Sequence, residues 1–128
     1  MADTPPPAVL VVDDQQLVRD VAVQALTHEG YDVLTATSGE EAILVYREHC
    51  DRIVTVIIDL SMPGMNGIET LRQLSVINKN LKGILSSGGL TTDYVLDQSL
   101  DFLILRKPYR LRELIDVVRR AEDATQTL

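Results

Sequence analysis

Aromatic and basic residues are scarce in this sequence. It contains four Tyr, one Phe and no Trp in 128 residues, so its core must be mainly aliphatic. Lys and Arg number 12 against 19 Asp and Glu, and the formal net charge is −7. A nucleic-acid-binding surface needs a basic stripe that neutralises phosphates, and an anionic membrane attracts basic clusters. The composition therefore predicts neither nucleic acid nor membrane as a partner.

Cysteine and long apolar runs are also rare. The single cysteine, Cys50, cannot form an internal disulfide, so nothing indicates an oxidising compartment. No apolar run approaches the roughly 20 residues of a membrane-spanning helix. Residues 1–8 lack the charged start and apolar stretch of a signal peptide. We therefore expect a cytoplasmic protein in which the three prolines of this segment form a stiff lead-in.

What is present is an alternation of two periodicities. Short apolar runs of the kind buried on both faces of a parallel sheet predict strands at residues 9–12, 31–36, 53–58, 81–85 and 102–105. Between and after them, apolar residues recur at helical spacing and predict five helices, of which the fourth, at residues 92–98, is short and weak. Five alternating strands and helices predict one doubly wound α/β domain with a parallel sheet covered on both faces.

Helix starts carry their own signals. Ser38 followed by Glu41 is typical of a capping box, in which each side chain satisfies a free backbone N–H group. Asp14 is expected to help cap the first helix. That helix carries an apolar stripe that includes Leu17, Val21 and Leu26, and the stripe is predicted to face the core.

Polar residues stand where the predicted strands end. Asp13 and Asp14 follow the first strand, Asp59 the third, Ser87 the fourth and Lys107 the fifth. The carboxyl ends of parallel strands meet at one edge of the sheet, where doubly wound proteins bind their ligands. We therefore expect these five side chains to lie close together.

Three carboxylates brought together repel one another and favour a bound cation. A hard divalent ion suits oxygen ligands, and Mg²⁺ in particular accepts one or two carboxylates while keeping sites for water and phosphate oxygens. Mn²⁺ could substitute for it. With a lysine and a hydroxyl nearby, the set indicates a carboxylate nucleophile that meets an incoming phosphoryl group.

These segments, in this order, resemble the receiver (response regulator) family of two-component signalling. The resemblance rests on VLVVDD, IIDLSMPGMNG, the SSGG after the fourth strand and KPY before the last helix, and it runs from residue 9 to the last helix. It implies a flavodoxin-like sheet with strand order 2-1-3-4-5. The boundaries we predict are a lead-in at 1–8, the receiver domain at 9–123 and a tail at 124–128.

The resemblance also implies a role for each matching residue. Asp59 would be the phosphoacceptor. Asp14 and Asp59 would bind Mg²⁺ through their side chains and Ser61 through its backbone carbonyl, while Asp13 would act through metal-bound water. Lys107 would contact the phosphoryl oxygens.

The switch elements follow from the same resemblance. Ser87 would bind the phosphoryl group and move inward, and Pro108 would follow a cis peptide bond. Receivers often carry Tyr or Phe three residues before the lysine, but this chain has Ile104. Phe102 lies two residues earlier, on the same face of a regular strand. A weaker coupling through this strand is therefore expected.

The implied partner is a histidine kinase or a histidine phosphotransfer domain, with the receiver a monomer or weak dimer. Two alternatives belong to other classes. A haloacid-dehalogenase-type phosphatase shares Asp, Mg²⁺ and Lys, but its nucleophile follows the first strand, whereas Asp59 follows the third. A degenerate receiver that acts only as an interaction module would lack some of the site residues. A stand-alone receiver and a piece of a hybrid sensor kinase both fit, and the stretches GYDVLTATSGEEA and LRKPYRLREL favour the second.

Overall fold

The computed structural model describes residues 5–88 and 100–126. Strands and helices alternate within these ranges, as predicted. Their bounds are β1 (Ala8–Val12), α1 (Gln16–His28), β2 (Asp32–Ala36), α2 (Gly39–His49), β3 (Ile53–Asp59), α3 (Gly67–Ile77), β4 (Gly83–Ser87), β5 (Phe102–Arg106) and α4 (Leu111–Gln126). The predicted helix at 92–98 lies outside the described residues.

The five strands form one parallel sheet in the order β2-β1-β3-β4-β5. This confirms the predicted doubly wound fold. Every residue of β1 and β3 is buried, which explains why β1 is wholly apolar and β3 is apolar apart from Thr55 and the terminal Asp59. The strand order reverses between β1 and β3, so the switch point of the sheet lies between their carboxyl ends.

Alternate residues of each strand feed two separate cores. Leu10, Ile58 and Leu85 belong to the core that α2 and α3 cover. Val11 and Ile84 point the other way, into the core covered by α1 and α4. Because neighbouring parallel strands are in register, residues that pair across the sheet share a face.

Only the second half of the apolar stripe of α1 is buried. Leu26 is fully buried, but Leu17 is 76% exposed and Val21 40% exposed, so the prediction that both face the core is wrong. The first turns of α1 follow directly on the carboxyl end of β1 and extend past the sheet edge. Helical periodicity identifies the apolar face, but it does not tell how far the neighbouring sheet reaches beneath it.

The fourth strand begins two residues later than predicted, at Gly83 rather than at residue 81. Leu81 is fully buried, but its N–H donates to the carbonyl of Asn78 in a turn before the strand. Its apolar character reflects burial rather than pairing in the sheet. The last helix in turn continues to Gln126, so residues 124–126, predicted as part of a tail, are helical. Ala8, assigned to the lead-in, is part of β1.

Of the two predicted helix caps, one is confirmed and the other is wrong. Ser38 accepts a hydrogen bond from the N–H of Glu41, whose carboxylate in turn accepts from the N–H of Thr37. Asp14 caps nothing: α1 begins after Gln15 without a side-chain cap, and the carboxylate of Asp13 accepts from the N–H of Gln15. In the described parts of the chain, no helix combines the length and apolar character that crossing a membrane requires.

Candidate functional site

The acidic residues that end β1 and β3 meet at the carboxyl edge of the sheet. Carboxylate oxygens of Asp13, Asp14 and Asp59 all lie within 4.8 Å of one another. Asp13 and Asp59 are buried, whereas Asp14 is exposed to solvent. The backbone of Asp13 is held from two sides, since its N–H donates to the carbonyl of Ala36 and its own carbonyl accepts from the guanidinium of Arg19 at 2.8 Å.

Lys107, which follows β5, extends its side chain to this cluster. Its ammonium donates a hydrogen bond to Asp13 Oδ2 at 3.1 Å and lies 3.6 Å from Asp59 Oδ1. Its N–H donates to the carbonyl of Ser87, which extends the β4–β5 pairing by one residue. The peptide bond between Lys107 and Pro108 is cis, as the resemblance implies.

The site is unbalanced in charge, and the pKa values of its groups reflect this. Burial is the main cause that raises the pKa of Asp59, and the negative charge of Asp13 adds to it, against the opposing effect of Lys107. For Lys107, burial acts to lower the pKa. The hydrogen bond and charge of Asp13, together with the charge of Asp59, outweigh burial and raise it. One ammonium faces three carboxyl groups.

Such a cluster suits a hard divalent cation. Oxygen donors alone, converging from two strand ends beside an exposed carboxylate, fit Mg²⁺ or Mn²⁺ better than the softer metals that select sulfur or imidazole ligands. The exposure of Asp14 leaves an open side, where water or phosphate oxygens can complete the coordination. The residues present therefore fit the predicted metal.

The loop after β3 is built tightly around Asp59. The N–H of Ser61 donates to Asp59 Oδ1 at 3.2 Å, which orients the carboxylate. Gly64 has a φ of +77°, a conformation that glycine adopts without steric cost. A Cβ on Gly67 would come within 2.7 Å of the Asp59 carbonyl oxygen, so glycine alone lets α3 start directly against the end of β3.

Ser87 and Ile104 lie where the sequence places them. Ser87 is buried at the end of β4. Ile104 is half-buried in β5 opposite Leu85, and it packs on the same core as Phe102, so the two share a face as expected. The position that often carries an aromatic residue in receivers is therefore filled by a branched aliphatic side chain.

Sequence reasoning missed two neighbours of the site. Arg19 anchors the backbone of Asp13, and its place one turn into α1, facing the strand end, could have suggested this. Ser86 pairs with Asp59 in the sheet, and its buried Oγ has no hydrogen-bond partner within the described part of the chain. Its position next to Ser87 before two glycines is equally typical of ordinary turn chemistry.

An apolar cavity opens beside Lys107. It has a volume of about 450 Å³ and lies between the first turns of α1 and the loop that follows β5. The exposed side chains of Leu17 and Val21 form one wall, and Pro108 and Tyr109 form the other. The apolar residues that α1 leaves uncovered thus lie next to the cluster of charged groups.

Comparison with known proteins agrees with this arrangement. The sequence model of the response regulator receiver domain matches residues 9–119. Sporulation initiation phosphotransferase F of Bacillus subtilis is 31% identical over 115 residues, which cover 88% of this chain and 90% of that protein. The sensor kinase CckA of Brucella abortus is 34% identical over 113 residues, 87% of this chain but 12% of the kinase.

A solved structure extends the likeness to three dimensions. A chain of the CheX-CheY-BeF3-Mg+2 complex from Borrelia burgdorferi is 31% identical and superposes with a TM-score of 0.77. The match covers 90% of this chain and 88% of that one. The chain therefore belongs to the response regulator receiver domain family of two-component signalling.

Proposed function

We propose that Asp59 accepts the phosphoryl group that a receiver domain of two-component signalling carries. The observation that supports this most is the position of its carboxylate: Oδ1 lies 3.6 Å from the ammonium of Lys107, at the centre of the carboxylate cluster. Asp13 is already engaged by Lys107 and by the N–H of Gln15, and Asp14 lies at the rim. Asp59 is thus the carboxylate best placed to act as a nucleophile.

The proposed reaction transfers phosphorus from nitrogen to oxygen. A carboxylate oxygen of Asp59 attacks the phosphorus of a phosphohistidine; the new O–P bond forms as the P–N bond breaks, and the electron pair stays on the departing imidazole, which takes up a proton. Lys107 neutralises charge that develops on the phosphoryl oxygens. The hydroxyl of Ser87 donates a hydrogen bond to the phosphoryl group and moves inward with it.

The same residues would hold Mg²⁺. Asp14 and Asp59 would provide carboxylate oxygens, Ser61 its backbone carbonyl, and Asp13 would bind through a water molecule. When bound, the ion supplies positive charge to both the carboxylate cluster and the phosphoryl oxygens. The charge imbalance of the apo site supports this assignment, because one ammonium alone does not neutralise three carboxylates.

The donor docks, in this proposal, on the apolar surface formed by Leu17, Val21, Pro108 and Tyr109. This surface borders Lys107, so a donor seated there has its histidine within reach of Asp59. In this proposal the histidine kinase or histidine phosphotransfer domain docks through an amphipathic helix, which buries its apolar face in a groove of this type. The domain acts once per phosphoryl group and is not a turnover enzyme.

The domain would work as a monomer or weak dimer in the cytoplasm. Most of this chain, 87%, matches one segment that makes up 12% of the sensor kinase CckA. We therefore favour a receiver that belongs to a hybrid sensor kinase over a stand-alone one.

The acceptor is tested by substitution. Asp59→Asn should abolish alkali-labile phosphate incorporation from acetyl phosphate with Mg²⁺, because the amide is not a nucleophile of comparable strength. Asp20→Asn, on the exposed side of α1, is the matched control and should keep wild-type labelling. Undiminished labelling of Asp59→Asn, measured by intact mass, would show that another residue carries the phosphate.

The docking surface is tested separately. Leu17→Asp should slow transfer from a phosphorylated histidine phosphotransfer domain by about tenfold or more, since a charge would be buried at an apolar contact. Labelling by acetyl phosphate should not change, because that donor needs no docking surface. Val76→Asp, at an exposed apolar residue on α3, is the control and should change neither rate. Equal slowing by both substitutions would argue against the α1 surface.

A further inference from the structure

The unpartnered hydroxyl of Ser86 lies on the same face of the sheet as the site. Ser86 pairs with Asp59 on one side and Leu105 on the other. Paired residues of parallel strands project to one face, and Ile84 and Leu105 confirm which face this is, since both pack in the core under α1 and α4. Asp59 and Ser86 are therefore side by side, one strand apart.

The path of the Lys107 side chain explains why Ser86 is buried. Lys107 follows β5, yet its ammonium contacts Asp59 at the end of β3 and Asp13 at the end of β1. In the strand order of this sheet, β4 lies between β5 and β3, so the methylene groups of Lys107 cross the end of β4. Ser86 pairs with Leu105, two residues before Lys107, so it projects to the face from which Lys107 extends, and it is 2% exposed.

A buried hydroxyl without a hydrogen bond destabilises the state in which it occurs. Ser86 Oγ is in that position in the absence of a phosphoryl group, with no partner among the described residues. A serine side chain needs a rotation about χ1 alone to redirect its hydroxyl. Phosphorylation of the neighbouring carboxylate would add three strong hydrogen-bond acceptors on this face of the sheet.

We infer that Ser86 is a second hydroxyl donor of this site, which forms a hydrogen bond to an oxygen of phosphorylated Asp59. It would act beside Ser87, which precedes the same loop but leaves the strand on the opposite face. The hydroxyl destabilises the resting state and stabilises the phosphorylated one. Both effects shift the equilibrium toward the phosphorylated conformation. This inference rests on Asp59 being the acceptor.

The experiment compares melting temperatures of three proteins in buffer, with Mg²⁺, and with Mg²⁺ plus beryllofluoride. Wild type should gain stability at each addition. Ser86→Ala should melt at or above wild type in buffer and respond normally to Mg²⁺. Its further rise with beryllofluoride should be smaller, with about tenfold or more beryllofluoride needed for half-saturation, the loss expected for a hydrogen bond to a charged group.

Thr55→Val is the matched control. It removes a buried hydroxyl from β3 that already has a partner, the carbonyl of Lys82 at 2.8 Å, far from the acidic edge. This variant should melt lower in all three conditions and keep the wild-type rise with beryllofluoride.

The outcomes separate the two hypotheses. A wild type that gains nothing from beryllofluoride would overturn the proposed acceptor itself. Equal beryllofluoride responses in wild type and Ser86→Ala would overturn the role of Ser86 while leaving the acceptor intact. A Ser86→Ala protein that loses its Mg²⁺ response as well would show that Ser86 acts by supporting the site rather than by donating to phosphate, and it would equally overturn the inference.

Discussion

The carboxyl edge of the sheet and its amino edge both carry partly buried charged groups, but they pair them differently. At the carboxyl edge, Asp13 and Asp59 share the ammonium of Lys107, and Asp14 adds a third carboxylate within 4.8 Å of theirs. At the amino edge two ion pairs each join one acid to one base. Asp32 pairs with Arg52, and the ammonium of Lys82 lies 2.5 Å from a carboxylate oxygen of Asp101.

Hydroxyl groups also differ between the two edges, since those at the amino edge have hydrogen-bond partners. The hydroxyl of Tyr31, before β2, donates to Glu122 at 2.7 Å, and the hydroxyl of Thr55 donates to the carbonyl of Lys82. Within the described residues, the exception at the amino edge is Nε of Arg52, which has no hydrogen-bond partner. At the carboxyl edge, the hydroxyl of Ser86 has no hydrogen-bond partner among the described residues.

We infer from this difference that the charged groups at the functional edge reduce the stability of the folded protein, whereas those at the amino edge do not. The paired charges at the amino edge neutralise one another. Like charges held together at the carboxyl edge are expected to destabilise the protein, and the proposed cation would relieve their repulsion. The following predictions test whether the two edges differ in this way.

The largest effect we expect comes from Mg²⁺. A cation that binds the folded protein alone should stabilise it by about 2.7 kcal/mol at a hundredfold excess over its dissociation constant. Asp14→Ala should lose most of this gain because one ligand is missing. Asp32→Ala, at the amino edge, should keep it. Thermal melting with and without Mg²⁺ measures both, and an identical gain in all three proteins would exclude the acidic cluster as the binding site.

A smaller effect should follow from removing one satisfied group at the amino edge. Tyr31→Phe deletes the hydroxyl that donates to Glu122 and should reduce the free energy of unfolding by about 1.5 kcal/mol. Burial, reinforced by Glu122, raises the pKa of Tyr31 to about 12 from the ordinary 10.0.

The pH dependence of that contribution has a definite sign. Between pH 10 and about 12 the folded protein retains the phenolic proton that the unfolded chain loses, so stability declines as the pH rises through this window. Denaturant unfolding of wild type and Tyr31→Phe at pH 8 to 11 should show the difference between the two proteins narrowing above pH 10. A constant difference would mean that the hydroxyl is not the group responsible.

The smallest effects come from one substitution made at both edges. Without metal, Asp32→Asn should destabilise the protein by about 0.2–1 kcal/mol, the range measured for exposed ion pairs. Asp59→Asn should stabilise it, because it removes a buried like charge. Chemical denaturation at pH 7 with EDTA measures both changes, and the same sign for both would contradict the comparison.

Acid should reduce the difference at the carboxyl edge. The pKa of Asp59 is raised in the folded protein, so the folded state takes up its proton before the unfolded chain does, and stability increases as the pH falls through the folded-state pKa. Asp59→Asn lacks this response. The advantage of the asparagine variant over wild type should therefore decrease toward acidic pH.

Much of the fold follows from local pattern. The run at residues 9–12 is wholly apolar and the run at 53–58 is apolar except for Thr55, because both strands are covered on two faces, and both predictions are confirmed. The acidic residues that end these runs meet, as the carboxyl ends of parallel strands must. Ser38 and Glu41 form their cap because the interaction is local.

Other features could not be predicted because they depend on what lies opposite. Leu17 and Val21 satisfy the helical pattern, yet they are exposed and border the open cavity beside Lys107. Asp14 has the side chain of an N-cap, but the backbone places Asp13 in contact with Gln15 instead. A pattern of residue types does not contain the relative positions of a helix and a sheet.

By itself, the sequence determined the alternation of strands and helices and the placing of acids, hydroxyl and lysine at strand ends, because periodicity and turn chemistry act over a few neighbouring residues. The tertiary structure alone decided which of these groups touch. Lys107 and Asp13 are 94 positions apart and meet because both follow the carboxyl ends of parallel strands, which lie at the same edge of the sheet. Ser86 faces Asp59 for the same reason, since register across strands is set by packing and not by adjacency in the chain.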